Sequence, residues 1–418
     1  MTQPQRPDTL LRDLTAITLG LTVPAMVSGR AVLQGLAAAA LLMALWLAWR
    51  DPQIRASFGS AVKSRFGYVV LFAFAAMAAS IPTSLDPMRS FEAWARTLGY
   101  IGGCTLFWAF LYNDLRAQVF FRRTFLIAIL VGTGAVAIGQ LGWEFPYRLL
   151  RGDFVPWATI WAFITAKGFA AALACCVPLS LWIAIKEPGS WRAAAVCAAL
   201  LQIGLTITTA NKSAWGGFLA MILAVGISMA FRGNRKTLIA WAFGGIAATT
   251  VILTLVYELP DEPPAPAVWD WMPPQLVDTH RQQIWHFTAE KIAEAPWLGY
   301  GMNSIDRVPG AKKILPGYVV EALPSHPHNW MLEILGETGV VGFVPVLIAV
   351  FWLAGRCLLR FVRNRNVNAL AQLGLSAVFW GSSLFNFSIW STWWLVTYFL
   401  FMAAIGANGP ERDAEDRR

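Results

Sequence analysis

Apolar residues in this chain fall in long charge-free runs rather than alternating with polar ones. Eleven such runs lie at 14–29, 31–49, 66–83, 97–113, 124–143, 168–185, 193–210, 213–231, 237–257, 338–355 and 366–410. A bilayer core takes about 20 mostly apolar residues per helix, so each of the first ten runs predicts one crossing. The last is too long for one and divides at Asn386, Phe387 and Ser388 into 367–386 and 389–407. The pattern therefore predicts an all-α polytopic membrane protein of about twelve transmembrane helices. Arg6 and Arg12 ahead of the first run have the look of a signal peptide, but the runs that follow favour an uncleaved first span. The connections are short except one, between the ninth and tenth spans. This divides the chain into 1–257 with transmembrane helices 1–9, a large loop at 258–337, and 338–418 with helices 10–12 and a tail.

Composition sharpens this picture. Only 14% of the 418 residues are charged and 57% are hydrophobic. Soluble domains carry about 25% charged residues, so an ordinary cytosolic enzyme, a disordered chain and a disulfide scaffold are excluded. The formal net charge of +9 is scattered between apolar stretches, without the single basic face that nucleic acid requires. Topology explains it better. With the N-terminus inside, most Lys and Arg fall in cytoplasmic segments, including Arg50, Arg55, Lys63, Arg65, Arg116, Arg122, Arg123, Arg232, Arg235, Lys236, Arg356, Arg360, Arg363 and Arg365. The positive-inside rule thus puts both termini in the cytoplasm and the large loop on the outer face. Tryptophans such as Trp46, Trp143 and Trp393 near span ends suit the headgroup layer. The five cysteines lie in or beside apolar segments without a C-x-x-C pair and read as packing residues.

All four histidines, His280, His286, His326 and His328, lie in the large loop. Its proline-rich start, Leu259 to Pro274, predicts an irregular arm. Thr279 and Gln282 then offer a capping box for a helix from about His280 to Ala295, with Ile284, Phe287 and Ile292 on its apolar face and Pro296 ending it. Arg281 sits in its first turn, where amide groups favour an anion; pairing with Asp278 or a lipid headgroup suits it equally. A second helix is expected to start near Ser325-His326-Pro327-His328-Asn329 with Pro in its first turn. The helix terminus would hold the His328 ring neutral and able to accept a proton, although a capping or packing role is also open. No H-x-x-x-H or H-E-x-x-H spacing supports a metal.

Further candidates lie outside the loop. Thr206, Thr208, Thr209, Asn211, Lys212 and Ser213 form a polar turn, in which Lys212 either snorkels or contacts a diphosphate. Arg148 and Arg151, and Arg89 and Arg96, each pair up on one helical face, suited to anionic lipid, substrate phosphate, or nothing specific. Glu333 and Glu337, at i,i+4, suit a role in orienting a base or acceptor, or a solvated face. Gly336, Gly339 and Gly342 suggest close packing or a bend.

Together these residues carry a resemblance. Arg281-x3-Trp285, Pro296-Trp297-Leu298-Gly299-Tyr300-Gly301, and His328-Asn329-x2-Leu332-x4-Glu337-x-Gly339-x2-Gly342 resemble the O-antigen ligase and polymerase superfamily over roughly 205–345. The resemblance implies a multi-span body with a large periplasmic loop in the bacterial inner membrane. It also implies a glycosyltransferase drawing a glycan from undecaprenyl diphosphate. In the ligases the acceptor is a sugar hydroxyl of lipid A-core; in the polymerases and protein O-oligosaccharyltransferases only the acceptor changes. By position, Arg281 matches the family's loop arginine and His328 its loop histidine. Lys212 stands where arginine is common, a point charge in place of a planar fork.

The chemistry this implies needs a base for the acceptor hydroxyl and cations for the departing diphosphate. His328 is the expected base. Arg281 and Lys212 are the expected stabilisers, followed by Arg148 and Arg151. His326, Asn329, Glu337, Arg89 and Arg96 are lesser candidates. No D-x-D pair occurs in the chain, so a metal-independent reaction without cofactor, with inversion at the sugar carbon, is expected. A transporter is the rival class, but the span interiors hold none of the ionisable groups transporters place at mid-membrane. A noncatalytic scaffold leaves the clustered histidines unexplained.

Overall fold

The computed structural model describes residues 8–153, 165–209, 211–230, 236, 244–245, 279–314, 321–385 and 387–408. Among them are fourteen α-helices and no strand beyond a single bridge between Ile314 and Glu321. The helices are α1 (Thr9–Thr22), α2 (Arg30–Arg50), α3 (Pro52–Val62), α4 (Arg65–Ala78), α5 (Pro87–Tyr112), α6 (Leu115–Gln140), α7 (Phe145–Arg151), α8 (Lys167–Lys186), α9 (Gly189–Thr208), α10 (Lys212–Ala230), α11 (Thr279–Glu294), α12 (Trp330–Asn364), α13 (Val367–Ser382) and α14 (Thr392–Gly406).

Of the described helices, α2, α6, α8, α9, α10 and α12 are each long and apolar enough to cross a membrane. The pair α3–α4 would add a seventh if its two parts, bent by 65°, form one span. The chain is thus an all-α polytopic membrane protein, as the charge-free runs predict. The first apolar run is helical only to Thr22, where the residues from Pro24 to Ser28 tighten into a 3-10 turn. The run at 66–83 ends as a helix at Ala78, and the polar α3 before it was not anticipated. The last run does divide, with α13 ending at Ser382 and α14 beginning at Thr392. The ninth span, the proline-rich arm and the Thr279 side chain lie outside the described residues.

Helix starts follow short polar caps. The Asp51, Ser64, Asp86, Asp114 and Asn366 side chains each accept an amide hydrogen from their own first turn, satisfying donors that would otherwise be orphaned. The centre is α8, buried continuously from Phe169 to Ser180, as expected of a helix apolar all round. Where α10 lies on α13, a Cβ on Gly217 would stand 2.8 Å from the Val378 carbonyl oxygen. Such close backbone approach is how helices associate where lipid is as apolar as the side chains.

Polar groups collect at the two ends of the bundle. At one end the buried Arg12 guanidinium bridges Asp51 at 2.5 Å and Asp114 at 3.3 Å, the same carboxylates that cap α3 and α6. Arg122 lies 2.7 Å from Glu187 there, and Arg116 2.6 Å from Asp13. At the opposite end the turns after α4 and α13 meet the segment 279–329. Leu85 donates to the Tyr300 carbonyl at 3.0 Å, and Trp330 to that of Ser383 at 3.1 Å. This second end holds the candidate site.

Candidate functional site

The site is organised by the start of α12. Asn329 caps the helix, its side chain accepting from the Met331 and Leu332 amides at 3.0 and 3.4 Å. The helix therefore begins at Trp330 and not around Pro327, because the asparagine carbonyl is the better cap. Pro327 stays outside, and His328 precedes the cap with a left-handed backbone, φ 57°.

Glu333 and Glu337 continue the same face one and two turns on. Both are 1% exposed, so neither belongs to a solvated face. The Glu333 carboxylate accepts from the Ser388 hydroxyl and, at 2.9 Å, from the Ile389 amide. That of Glu337 accepts from the Asn303 amide at 2.6 Å, the Ile305 amide at 3.4 Å and the Trp390 indole at 2.5 Å. A buried carboxylate is tolerable only when its oxygens are satisfied. Here that requirement ties the loop at 303–305 and the turn at 388–390 to one helix.

Just beyond, α12 breaks at Gly339, φ 60° and ψ −172°, a conformation essentially reserved for glycine. A helix break orphans carbonyls before it and amides after it, and the Pro296–Gly301 segment satisfies both. Tyr300 and Gly301 donate to the Gly336 and Glu337 carbonyls at 3.0 and 2.8 Å, while Val340 and Val341 donate to those of Pro296 and Trp297 at 2.9 and 3.2 Å. Gly301, φ 97°, also abuts the Ser84 and Ser90 hydroxyls, which a Cβ would strike. The division at 337/338 falls beside this kink, within one helix.

The loop helix α11 spans Thr279–Glu294, one residue from the expected bounds. Ile284 is buried with Ile305, Val308, Ala311 and Leu323, and Phe287 packs against them. Near its end the Glu294 carboxyl is held below its ordinary range by hydrogen bonding from Lys291 and also from Tyr300. Burial, then Glu294, pushes the Tyr300 hydroxyl up to about 12. On another face the Trp285 indole donates to the Pro327 carbonyl at 2.8 Å, and its ring lies 5.9 Å from that of Phe385.

At this ring pair the elements that carry the sequence-predicted residues meet. Arg281 is one turn before Trp285 on the same helical face. His328 follows the proline that Trp285 holds, and its ring lies 4.2 Å from that of His326, whose Nδ1 is 2.8 Å from the Ser325 hydroxyl. Lys212 is one turn before Gly216, where a Cβ would stand 3.3 Å from the Phe385 ring. Asn211 fixes that turn, its side chain accepting from Ser213 and Ala214 while donating to the Lys167 carbonyl at 3.0 Å.

The remaining candidates stand apart from this centre. Arg148 pairs with Glu144 at 3.2 Å, and the Arg151 guanidinium lies over the Tyr147 ring. Tyr147 in turn meets the Thr165 hydroxyl at 3.0 Å, two residues before Lys167. Arg89 pairs with Asp306 at 3.0 Å and Arg307 with Asp86 at 2.5 Å, a crossed pair that fastens the loop to α5, while Arg96 pairs with Glu92 on its own helix. His286 lies 3.5 Å from Glu290. Among the described residues no three His, Cys, Asp or Glu side chains are grouped as metal ligands. The sequence reading missed the anchoring done by Trp285, Trp390 and Ser388; the Arg281-x3-Trp285 spacing held the one available hint. A Trp285→Phe variant keeps the ring and loses the bond to Pro327. Its melting temperature should fall by a few degrees at most, from about 1 kcal/mol, while kcat for the reaction proposed below falls about tenfold through misplacement of the neighbouring groups.

These features define a polytopic membrane protein with a loop docked on a broken helix. Residues 197–347, a stretch that encloses most of this centre, match the O-antigen ligase family model. The chain is 32% identical over 119 residues to a "Putative polysaccharide ligase" of Rickettsia conorii and 32% over 123 residues to one of Rickettsia prowazekii. A third, from Rickettsia typhi, is 31% identical over 123 residues. The alignments cover 28% of this chain and span 28–29% of the length of these relatives.

Proposed function

We propose that the protein is an O-antigen ligase, transferring a glycan from undecaprenyl diphosphate to a sugar hydroxyl of lipid A-core at the periplasmic face of the bacterial inner membrane. The observation that carries this reading is that the segments bearing Lys212, Arg281 and His328 meet at the Trp285–Phe385 pair. The ligase-family match at 197–347 and the polysaccharide-ligase relatives support the coarser part, glycan transfer by a ligase or polymerase. The distribution of Lys and Arg supports cytoplasmic termini and an outward-facing site.

In this mechanism His328 removes the proton as the acceptor oxygen attacks the anomeric carbon. The bond to the diphosphate oxygen breaks on the opposite face, inverting the sugar carbon, and undecaprenyl diphosphate leaves with the electron pair. Arg281 and Lys212 hold the charge that grows on it, so no general acid and no metal ion is needed. Cations aimed in advance at a developing anion stabilise it with no reorganisation at the moment of reaction.

Transfer by the purified protein with defined lipid-linked donor tests this. Lipid A-core should be glycosylated, with and without a chelator. Loss of activity with chelator that a divalent ion restores would overturn the metal-independent mechanism. Elongation of a second lipid-linked repeat, or glycosylation of a pilin-like protein, in place of lipid A-core would reassign the acceptor. Arg281→Lys should retain a small fraction of turnover and Arg281→Gln about a hundredth or less, in keeping with the worth of one aimed donor at a developing anion.

A further inference from the structure

Arg30 opens α2 at the same end of the bundle as the site, and its guanidinium is clasped by two aromatic rings. It lies 4.9 Å from the Phe387 centroid and 5.2 Å from that of Trp393. Arginine is favoured over lysine for such stacking because its planar group keeps its in-plane donors open to a ligand. Across from the rings, Nη2 is 3.6 Å from where a Cβ on Gly168 would stand. Lys167 is the neighbouring residue, and its carbonyl receives the Asn211 side chain beside Lys212. Among the described residues none of Arg30, Lys167 and Lys212 has an ion-pair partner, and all three are exposed. Arg12, Arg89, Arg96, Arg122 and Arg148, by contrast, each meet a carboxylate.

The place of this cluster relative to the site follows from one turn. Phe385 touches the Trp285 ring, while Phe387, two residues on, lies against Arg30. Two residues span at most about 7 Å. Ser388, Ile389 and Trp390 of the same turn are bonded to Glu333 and Glu337, so the Arg30 cluster and the His328 neighbourhood are held in fixed relation. A diphosphate ester carries more charge than one guanidinium balances, and its two phosphorus centres present oxygens on both sides of the bridge. A second cationic station, tied to the turn that touches Trp285, answers both requirements.

We propose that Arg30, aided by Lys167, binds the lipid-proximal phosphate of a polyprenyl diphosphate, with Phe387 and Trp393 fixing the guanidinium plane. This rests on the transfer reading above for its substrate and extends it to residues far outside the matched domain. Arg30 acts here in binding and places the leaving group; the base remains His328.

The test measures binding of glycan-free polyprenyl diphosphate, polyprenyl monophosphate and phosphatidylglycerol to the full-length protein in detergent, with melting temperature as the check on folding. Arg30→Gln should weaken diphosphate binding about ten- to a hundredfold, the range expected for losing a charge-assisted contact, and reduce the preference for diphosphate over monophosphate. Arg30→Lys should retain part of the affinity, and Phe387→Ala should weaken binding in the protein that keeps Arg30. Diphosphate affinity unchanged in a normally melting Arg30→Gln protein would overturn the proposal. Equal dependence of phosphatidylglycerol binding on Arg30 would also overturn it, making the cluster a general headgroup site. If the wild type glycosylates no acceptor while Arg30→Gln still loses diphosphate, the Arg30 assignment stands and the transfer reading falls. Transfer by the wild type with undiminished diphosphate binding in Arg30→Gln has the reverse meaning.

Discussion

Replacing His328 by asparagine should lower glycan transfer by a factor of 10² to 10⁴, the usual worth of a positioned general base, while donor binding and melting temperature stay close to wild type. Asparagine is the informative substitution because the position is left-handed, φ 57°. Alanine there would add backbone strain to the loss of the imidazole, whereas asparagine is among the residues that enter this region readily. A carboxamide cannot take up the acceptor proton. Single-turnover rates with saturating donor separate chemistry from binding. A variant that turns over at the wild-type rate would remove the base assignment, and the His326 ring 4.2 Å away would be the next imidazole to replace.

Gly339→Ala should be the most damaging glycine-to-alanine substitution among the described residues. The added carbon would stand 2.1 Å from the Trp297 carbonyl oxygen and 2.2 Å from its carbon. Both are backbone atoms, so no side chain can swing aside. Relaxing the kink into regular helix would forfeit the bonds from Tyr300, Gly301, Val340 and Val341. The strain of the Gly-only conformation, of order 1–3 kcal/mol, adds to an overpacking cost of about the same size. A loss of roughly 3–5 kcal/mol is therefore expected, read as a large fall in melting temperature in detergent and as lost transfer activity. Gly35→Ala, in an open position where a Cβ meets nothing within 4 Å, should melt at or slightly above the wild-type temperature.

What the sequence revealed depended on whether the deciding partner was near in the chain. The helix Thr279–Glu294 was legible because its start and its Pro296 stop are local. The start of α12 is the exception: its Asn329 cap is local too, but Pro327 offered a competing first turn. Glu333 and Glu337 could be read as solvated or functional from their i,i+4 spacing alone. Their actual partners at 303, 305 and 388–390 are up to 56 residues away. Arg30 went unnoticed for the same reason, since the rings that hold it lie more than 350 residues along the chain. Freedom from charge does not ensure helix: proline and polar turns shorten α1 and α4 within their charge-free runs.

The broken helix at Gly339 has a mechanical meaning. Four main-chain bonds and the Glu337 carboxylate rivet the loop to a membrane-embedded rod at its bend. The arginine and histidine it presents cannot swing down over a substrate as a lid would without tearing that joint. In the proposed transfer both reactants, each anchored in the membrane by its own lipid, come to a stationary workbench, so the order in which they arrive is set by access rather than by closure.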